Sequence, residues 1–214
     1  VSGKLIVLEG PEGGGKTSVG DDLAKRLEKA GKSVVRLREP GGTKLGEHMR
    51  GVLKQNTAGE APVPMAELFL FQAARAQLVE KCIRPALENG FYVLMDRFYD
   101  STTAYQGRGR GIDMKLIKQM NEAATGGLVP DLTILLYVKP EIGLARVKGR
   151  NEGFDRLDEE SLKFHQEVCA AYLAMSVADK DRKWIMINAQ ESLKTVCENV
   201  WISVDYELKD DLNG

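Results

Sequence analysis

Apolar and polar positions follow two rhythms along this chain, and the switches between them lay out its elements. Five short apolar runs have the length of buried strands: 5–9 (LIVLE), 32–38 (KSVVRLR), 91–95 (FYVLM), 132–138 (LTILLYV) and 184–187 (WIMI). Between them apolar residues recur at helical spacing. Val19, Leu23, Ala24 and Leu27 mark a helix over 17–27, and 46–53 resumes the same period. Leu68, Phe69, Ala73, Ala76, Val79, Ile83 and Leu87 predict one long helix over 65–87, which Gly90 ends. Further helices are expected at 101–106, 113–124, 141–150, 158–176 and 192–208, with loops at 55–64 and 107–111. Parallel strands need crossovers and so become buried on both sides. The pattern therefore predicts an α/β fold, a five-stranded parallel sheet with helices on both faces.

No internal repeat, low-complexity tract or linker interrupts the pattern, so residues 1–214 are expected to form a single domain. In such sheets ligands bind beyond the carboxyl ends of the strands. That edge gathers Gly10 to Thr17, Glu39, Pro40, Asp96, Arg97, Lys139 and Asn188.

Charge is balanced, 30 basic against 31 acidic residues, which argues against a nucleic-acid polymer or a membrane surface as partner. Cys82, Cys169 and Cys197 are odd in number and widely spaced, so neither a disulfide framework nor a zinc site is expected, and a reducing cytoplasmic setting fits. A strand beginning almost at Val1 leaves no room for a signal peptide, the start is expected to be a processed one, and no apolar run approaches the ~18 residues of a membrane span.

The most specific chemistry lies after the first strand. Gly10-Pro11-Glu12-Gly13-Gly14-Gly15-Lys16-Thr17 fits G-x-x-x-x-G-K-[ST] in the required setting of strand, loop and helix. Glycines let successive backbone N–H groups wrap a phosphate at the positive end of the helix dipole. Lys16 would reach the β and γ phosphates of ATP, Thr17 would ligate Mg²⁺, and the cradle would run through Ser18.

Other groups are less specific by spacing alone. Asp96-Arg97 at a strand end can set a carboxylate near Mg²⁺ and a guanidinium beside a second phosphate, or can be an ordinary ion pair. Thr102, Tyr105 and Gln106 stand at i, i+3 and i+4, on one helix face. Phe71 and Arg75 could stack on and hydrogen-bond a base, or be core packing and a surface salt bridge. Arg146, Lys148, Arg150 and Arg156 flank the connection Asn151-Glu152-Gly153-Phe154, which reads as mobile; cations on a closing segment suit phosphoryl transfer, and a solvated basic helix end has the same composition. His48 and His165 read as structural.

In combination these segments resemble the thymidylate kinases. Glu9-Gly10-x-Glu12-Gly13-x-Gly15-Lys16-Thr17, Arg38-Glu39-Pro40-Gly41-Gly42-Thr43, Phe71-x-Ala73-Ala74-Arg75 and Asp96-Arg97-x-x-x-Ser101-Thr102-x-Ala104-Tyr105-Gln106-Gly107 come in the family's order. Pro130-Asp131-Leu132-Thr133 and Asp155-Arg156-Leu157 extend the match over nearly the whole chain. The resemblance implies a P-loop nucleoside monophosphate kinase fold, a homodimer, and transfer of the γ-phosphoryl of ATP to dTMP with Mg²⁺, in the supply of dTTP. It implies that Phe71 stacks on thymine, Arg75 and Thr102 address the base edge, and Arg50 and Arg97 hold the dTMP phosphate. Tyr105 would lie under the deoxyribose, Glu12 would face its 3′-hydroxyl, and Glu39, Pro40 and Gln106 would complete the acceptor site. The loop carries no arginine, so the catalytic arginine is expected from a lid at about 143–157, where Arg150 matches best, acting with Lys16 and Arg97. Phe98 and Gly14 depart from the usual tyrosine or histidine and alanine without removing an assigned group.

Rival functions fit less well. A GTPase switch would read guanine with Asn-Lys-x-Asp, which is absent, and a regulatory ATP-binding module has no use for Phe71, Arg75, Arg97 and Tyr105. A deoxynucleoside kinase of similar fold is the nearest alternative, and Arg50 with Arg97 favours an acceptor that already carries phosphate.

Overall fold

The computed structural model describes residues 3–54, 60–149 and 156–209. Its centre is a sheet of five parallel strands, β1 (Lys4–Glu9), β2 (Val34–Arg38), β3 (Tyr92–Asp96), β4 (Leu132–Tyr137) and β5 (Trp184–Asn188), in the order β2-β3-β1-β4-β5. The register sets Leu8 of β1 beside Asp96 of β3, and Arg38 of β2 beside the same Asp96, so the three loops that follow these strands open at one level.

The side-chain period of two splits the core into two faces. Ile6 and Leu8 of β1, Leu94 of β3 and Ile134 and Leu136 of β4 point to one side. There they meet Val19, Leu23 and Leu27 of α1 (Lys16–Lys29) and Val196, Val200 and Val204 of α9 (Leu193–Glu207). Leu5, Val7, Val93 and Met95 point to the other, under Leu78 of α3 (Pro64–Leu78). Leu135 on that side lies under Val168 and Tyr172 of α8 (Leu162–Ala178). Short side chains cap these crossovers: Asp113 accepts from Lys115 N at the start of α6 (Met114–Thr125), Ser161 from Phe164 N at α8, and Ser192 from Thr195 N at α9.

Four expectations from the pattern are corrected. The long helix over 65–87 is interrupted: a wide, π-helical turn spans Val79–Ile83 between α3 and α4 (Arg84–Glu88). Pro85 supplies the reason, because its ring would strike the carbonyl four residues back, and the wide turn, with Arg84 N bonded to Val79 O, moves that carbonyl aside. The same helix exposes Phe69, 55 % accessible, which the pattern counted among its apolar positions. The short helix at 101–106 is longer than expected. It begins as α5 (Tyr99–Thr102) and widens into a second π-helical turn, Thr103–Gly109, which takes in glycines expected to form a loop. A helix expected from 158 starts at Leu162.

The remaining helices are α2 (Lys44–Lys54) and α7 (Pro140–Lys148). Among the described residues no helix is long and apolar enough to cross a membrane.

Candidate active site

β1 ends at Glu9 and the chain turns at once through a loop in which Gly10, Gly13 and Gly15 have φ of 140°, 70° and 81°. Gly13 needs to be glycine for a second reason. A Cβ there would lie 2.2 Å from the carbonyl oxygen of Gly143, and one on Gly143 would lie 2.2 Å from that of Glu12. The loop thus packs backbone to backbone on α7. Lys16 bends back over it, Nζ donating to the carbonyls of Gly10 (3.0 Å) and Pro11 (2.9 Å). Burial, and then repulsion from Arg97, lowers its pKa to about 8 against the pull of Glu12 and Asp96.

Thr17 Oγ1 donates to Asp96 Oδ2 at 2.9 Å, which ties the start of α1 to the end of β3. Two hard oxygens beside a phosphate loop suit magnesium, which takes one or two protein ligands and keeps its other positions for phosphate and water. Among the described residues no three His, Cys, Asp or Glu side chains cluster into an all-protein metal cage.

Arg97 follows with φ 71°, a left-handed backbone that a non-glycine residue adopts only at a cost of order 1–3 kcal/mol. Its main-chain N–H donates to Leu8 O at 3.0 Å, and its side chain turns back over the loop. Nη2 donates to Glu12 Oε1 (2.5 Å) and to the Tyr105 hydroxyl (3.1 Å), while Nη1 reaches Gly10 O (3.2 Å), Ser101 Oγ (3.1 Å) and the Tyr172 hydroxyl (3.3 Å). Tyr105 donates its own proton to Glu12 Oε1 at 2.9 Å, and the guanidinium lies 5.0 Å from the centre of its ring. Burial would raise the Glu12 pKa, but Arg97 and then Lys16 outweigh it and hold the carboxylate down at about 2.

A cavity of about 340 Å³ opens between this loop and α3. Of the residues singled out in the sequence, Glu12, Gly13, Gly14, Gly15, Lys16, Thr17, Glu39, Pro40, Arg50, Phe71, Arg75, Asp96, Arg97, Thr102, Tyr105 and Gln106 all line it. Gly10 and Pro11 stand behind, as the carbonyls that Lys16 and Arg97 use. Ser18 is exposed on α1 and is not part of the wall. Arg150 lies outside the described residues, as does part of the expected lid.

Arg75 differs in surroundings from a free reader of a base edge. It is 1 % exposed, and its Nε and Nη2 grip the Glu39 carboxylate at 3.0 and 2.6 Å. Nη2 also donates to Thr102 Oγ1 (2.9 Å), and Nη1 to Gln72 Oε1 (3.0 Å) and Asn121 Oδ1 (3.2 Å). A base carbonyl would share these donors with Glu39, which lines the cavity beside Arg75. Gln106 is likewise engaged, donating to the buried Glu67 at 2.7 Å. Arg50 donates to Pro40 O at 2.9 Å.

Of the cations expected to act as a group around 146–156, the three among the described residues, Arg146, Lys148 and Arg156, do not converge. Arg146 is spent on the carbonyls of Gly13, Ala189 (2.6 Å) and Gln190, Lys148 is exposed, and Arg156 pairs with Glu67. A carbonyl-rich turn and a buried carboxylate compete for them, which composition cannot reveal. Conversely, Arg38, Lys54, Ser101 and Leu157 line the cavity without having been singled out for it, although three of the four sit inside the motifs quoted above. Buried Glu9, also within a motif, has no signal of its own beyond a charge closing an apolar strand.

A family model described as thymidylate kinase matches residues 8–200. A thymidylate kinase of Thermomicrobium roseum is 48 % identical over 205 residues, covering 96 % of each chain. One from Nostoc sp. is 44 % identical over 209 residues, with 98 % and 99 % covered, and one from Carboxydothermus hydrogenoformans is 43 % identical over 189, with 88 % and 90 % covered.

Proposed function

The chain belongs to the thymidylate kinase family, and from that premise we propose how its residues perform the reaction. It phosphorylates dTMP with ATP as donor: an oxygen of the dTMP phosphate bonds to the γ phosphorus, the bond to the β–γ bridging oxygen breaks, and dTDP and ADP result. Phosphoryl transfer asks a protein mainly for positioning and for positive charge where negative charge accumulates. Lys16 and the backbone N–H groups of 13–17 hold the donor phosphates. Arg97 and Arg50, which line the same cavity, hold the phosphate of dTMP, and Glu12 and Tyr105 keep the Arg97 guanidinium turned toward the loop. Phe71 stacks on thymine, and Arg75 with Thr102 meets the base edge.

Thr17 and Asp96 would hold Mg²⁺, which when bound neutralises charge shared by the donor phosphates. A lid at about 143–157 with Arg150 remains part of the proposal. Arg150→Ala is expected to lower kcat by roughly 10² while changing KM for dTMP much less, and a change confined to KM would make it a ground-state ligand instead. The chain is proposed to act as a homodimer in the cytoplasm; Met65, Phe69 and Ala73 form an exposed apolar stripe at i, i+4 and i+8 on α3, and Leu45 and Val52 of α2, which packs on α3, are exposed as well.

The observation that carries the acceptor assignment is the left-handed Arg97, whose one guanidinium touches both the donor loop and Tyr105 at the acceptor side. ADP release measured with dTMP, dUMP, thymidine, dCMP and AMP tests it. We expect dTMP to be best and dUMP about 10 to 200 times poorer, as one methyl in an apolar pocket allows. Thymidine turned over as well as dTMP would favour a deoxynucleoside kinase and remove Arg97 from its role.

A further inference from the structure

Glu9 closes β1 with its carboxylate wholly buried, directly beneath the phosphate loop, and no step of the proposed chemistry uses it. Its partners are particular. Oε1 accepts from the main-chain N–H groups of Phe98 (2.8 Å) and Ser101 (3.2 Å), which pins the turn that holds Arg97 in its left-handed state. Oε2 accepts from the hydroxyls of Ser101 (2.7 Å) and Tyr172 (2.9 Å). These two hydroxyls are also the ones that Arg97 Nη1 approaches, at 3.1 and 3.3 Å.

The directions of those bonds follow from donor counting. A carboxylate accepts only and a guanidinium donates only, whereas a hydroxyl has one proton and two lone pairs. Ser101 Oγ and the Tyr172 hydroxyl also lie 2.8 Å apart, so at least one of their protons goes to Glu9 and the other goes to Glu9 or to the neighbouring hydroxyl; in each arrangement both present lone pairs to Arg97. A hydroxyl facing the other way would set its proton against an Arg97 N–H. We propose that Glu9 is a positioning residue for phosphoryl transfer, which orients the hydroxyls of Ser101 and Tyr172 so that they hold the Arg97 guanidinium in its working direction. The contact is indirect: Glu9 lies behind the cavity wall, and Tyr172, with no exposed surface, does too.

This inference rests on the role of Arg97 proposed above, and a double-mutant cycle separates the two. kcat/KM for dTMP is measured at about pH 8.5, above the Glu9 value of about 7 so that its carboxylate is ionised, for the wild type, Glu9→Gln, Arg97→Lys and the double variant, with thermal unfolding as a check on folding. Arg97→Lys keeps the charge but loses the planar fork, and kcat and KM unchanged in it would overturn the assignment of Arg97 itself. If Arg97 acts as assigned, Glu9→Gln is expected to lower kcat/KM by about 10-fold or more in the wild-type background, since a misplacement of about 1 Å can cost 10². In the Arg97→Lys background the same change is expected to cost less than about 2-fold, because the fork it orients is gone. Equal losses in both backgrounds, or no loss in either, would overturn the role of Glu9 while leaving that of Arg97 standing. Tyr172→Phe gives a second reading should Glu9→Gln fail to fold. It deletes one hydroxyl and keeps the ring, and it is expected to show the same dependence on Arg97; an additive loss there would also overturn the proposal.

Discussion

At the scale of single residues, two carboxylates around the loop, buried Glu9 and half-buried Glu12, have their pKa values pushed in opposite directions. Glu9 is raised to about 7 by burial and by Asp100, against Arg97. The folded protein therefore binds a proton at Glu9 more tightly than the unfolded chain does. Its contribution to stability is fully present below the ordinary value of 4.5 and is lost as pH rises toward 7. Glu12, lowered to about 2, has the opposite sign: its contribution is present above 4.5 and lost as pH falls through 2. Replacing Glu9 by glutamine removes only the first effect. Between pH 5 and 8 the Tm of the wild type is thus expected to fall relative to that of Glu9→Gln, and parallel Tm curves would contradict the raised value. Lys16→Ala is expected to abolish turnover with circular dichroism unchanged, since Nζ serves loop carbonyls and phosphates; retained activity would dismiss the lysine from the site. The residues of the loop were legible in the sequence because their spacing is the chemistry. The engagement of Arg75 with Glu39 was not, because 36 positions separate them and only the fold makes them neighbours.

Among the elements, the two wide turns are what periodicity missed. A 3.6-residue period predicts Thr102, Tyr105 and Gln106 on one face, and all three do line the cavity, but the turn that carries Tyr105 and Gln106 is π-helical. Arg110 N closes it on Tyr105 O, five residues back, at 2.9 Å. Such turns are rare and have no strong compositional signature, so pattern reading defaults to the ordinary helix. The glycines within this one are legible only afterwards. A Cβ on Gly109 would lie 2.5 Å from the Phe164 ring of α8, so α8 can pack close to this segment only across a bare backbone. Gly109→Ala is expected to destabilise the protein by about 1–3 kcal/mol, read as a lower Tm and a weaker KM for dTMP as Tyr105 is displaced. An unchanged Tm would mean that α8 yields without resistance.

For the whole molecule, the sheet order explains how residues far apart in sequence share one cavity. β1 lies centrally with the donor loop at its end, and the loops after β2 and β3 open beside it with Glu39 and Arg97. The apolar runs made the five strands legible, whereas their lateral order depends on which helices cover which face, and no local pattern carries that. The exposed stripe of Met65, Phe69 and Ala73 bears on assembly. If α3 forms the dimer contact, Phe69→Lys is expected to convert a dimer to a monomer in sedimentation, and an unaltered dimer would put the contact elsewhere.

The contact of Gly13 with Gly143 sets a limit on how such a protein can diverge. Most crowded pairs can drift together, one side chain shrinking as the other grows. Here neither partner has a side chain to give up, so an enlargement at either position has no compensating change at the other. Variation in donor preference among descendants of this chain would therefore have to be written around the two glycines, in side chains such as Arg146 that border the loop, while the loop and the first turn of α7 are inherited as one piece.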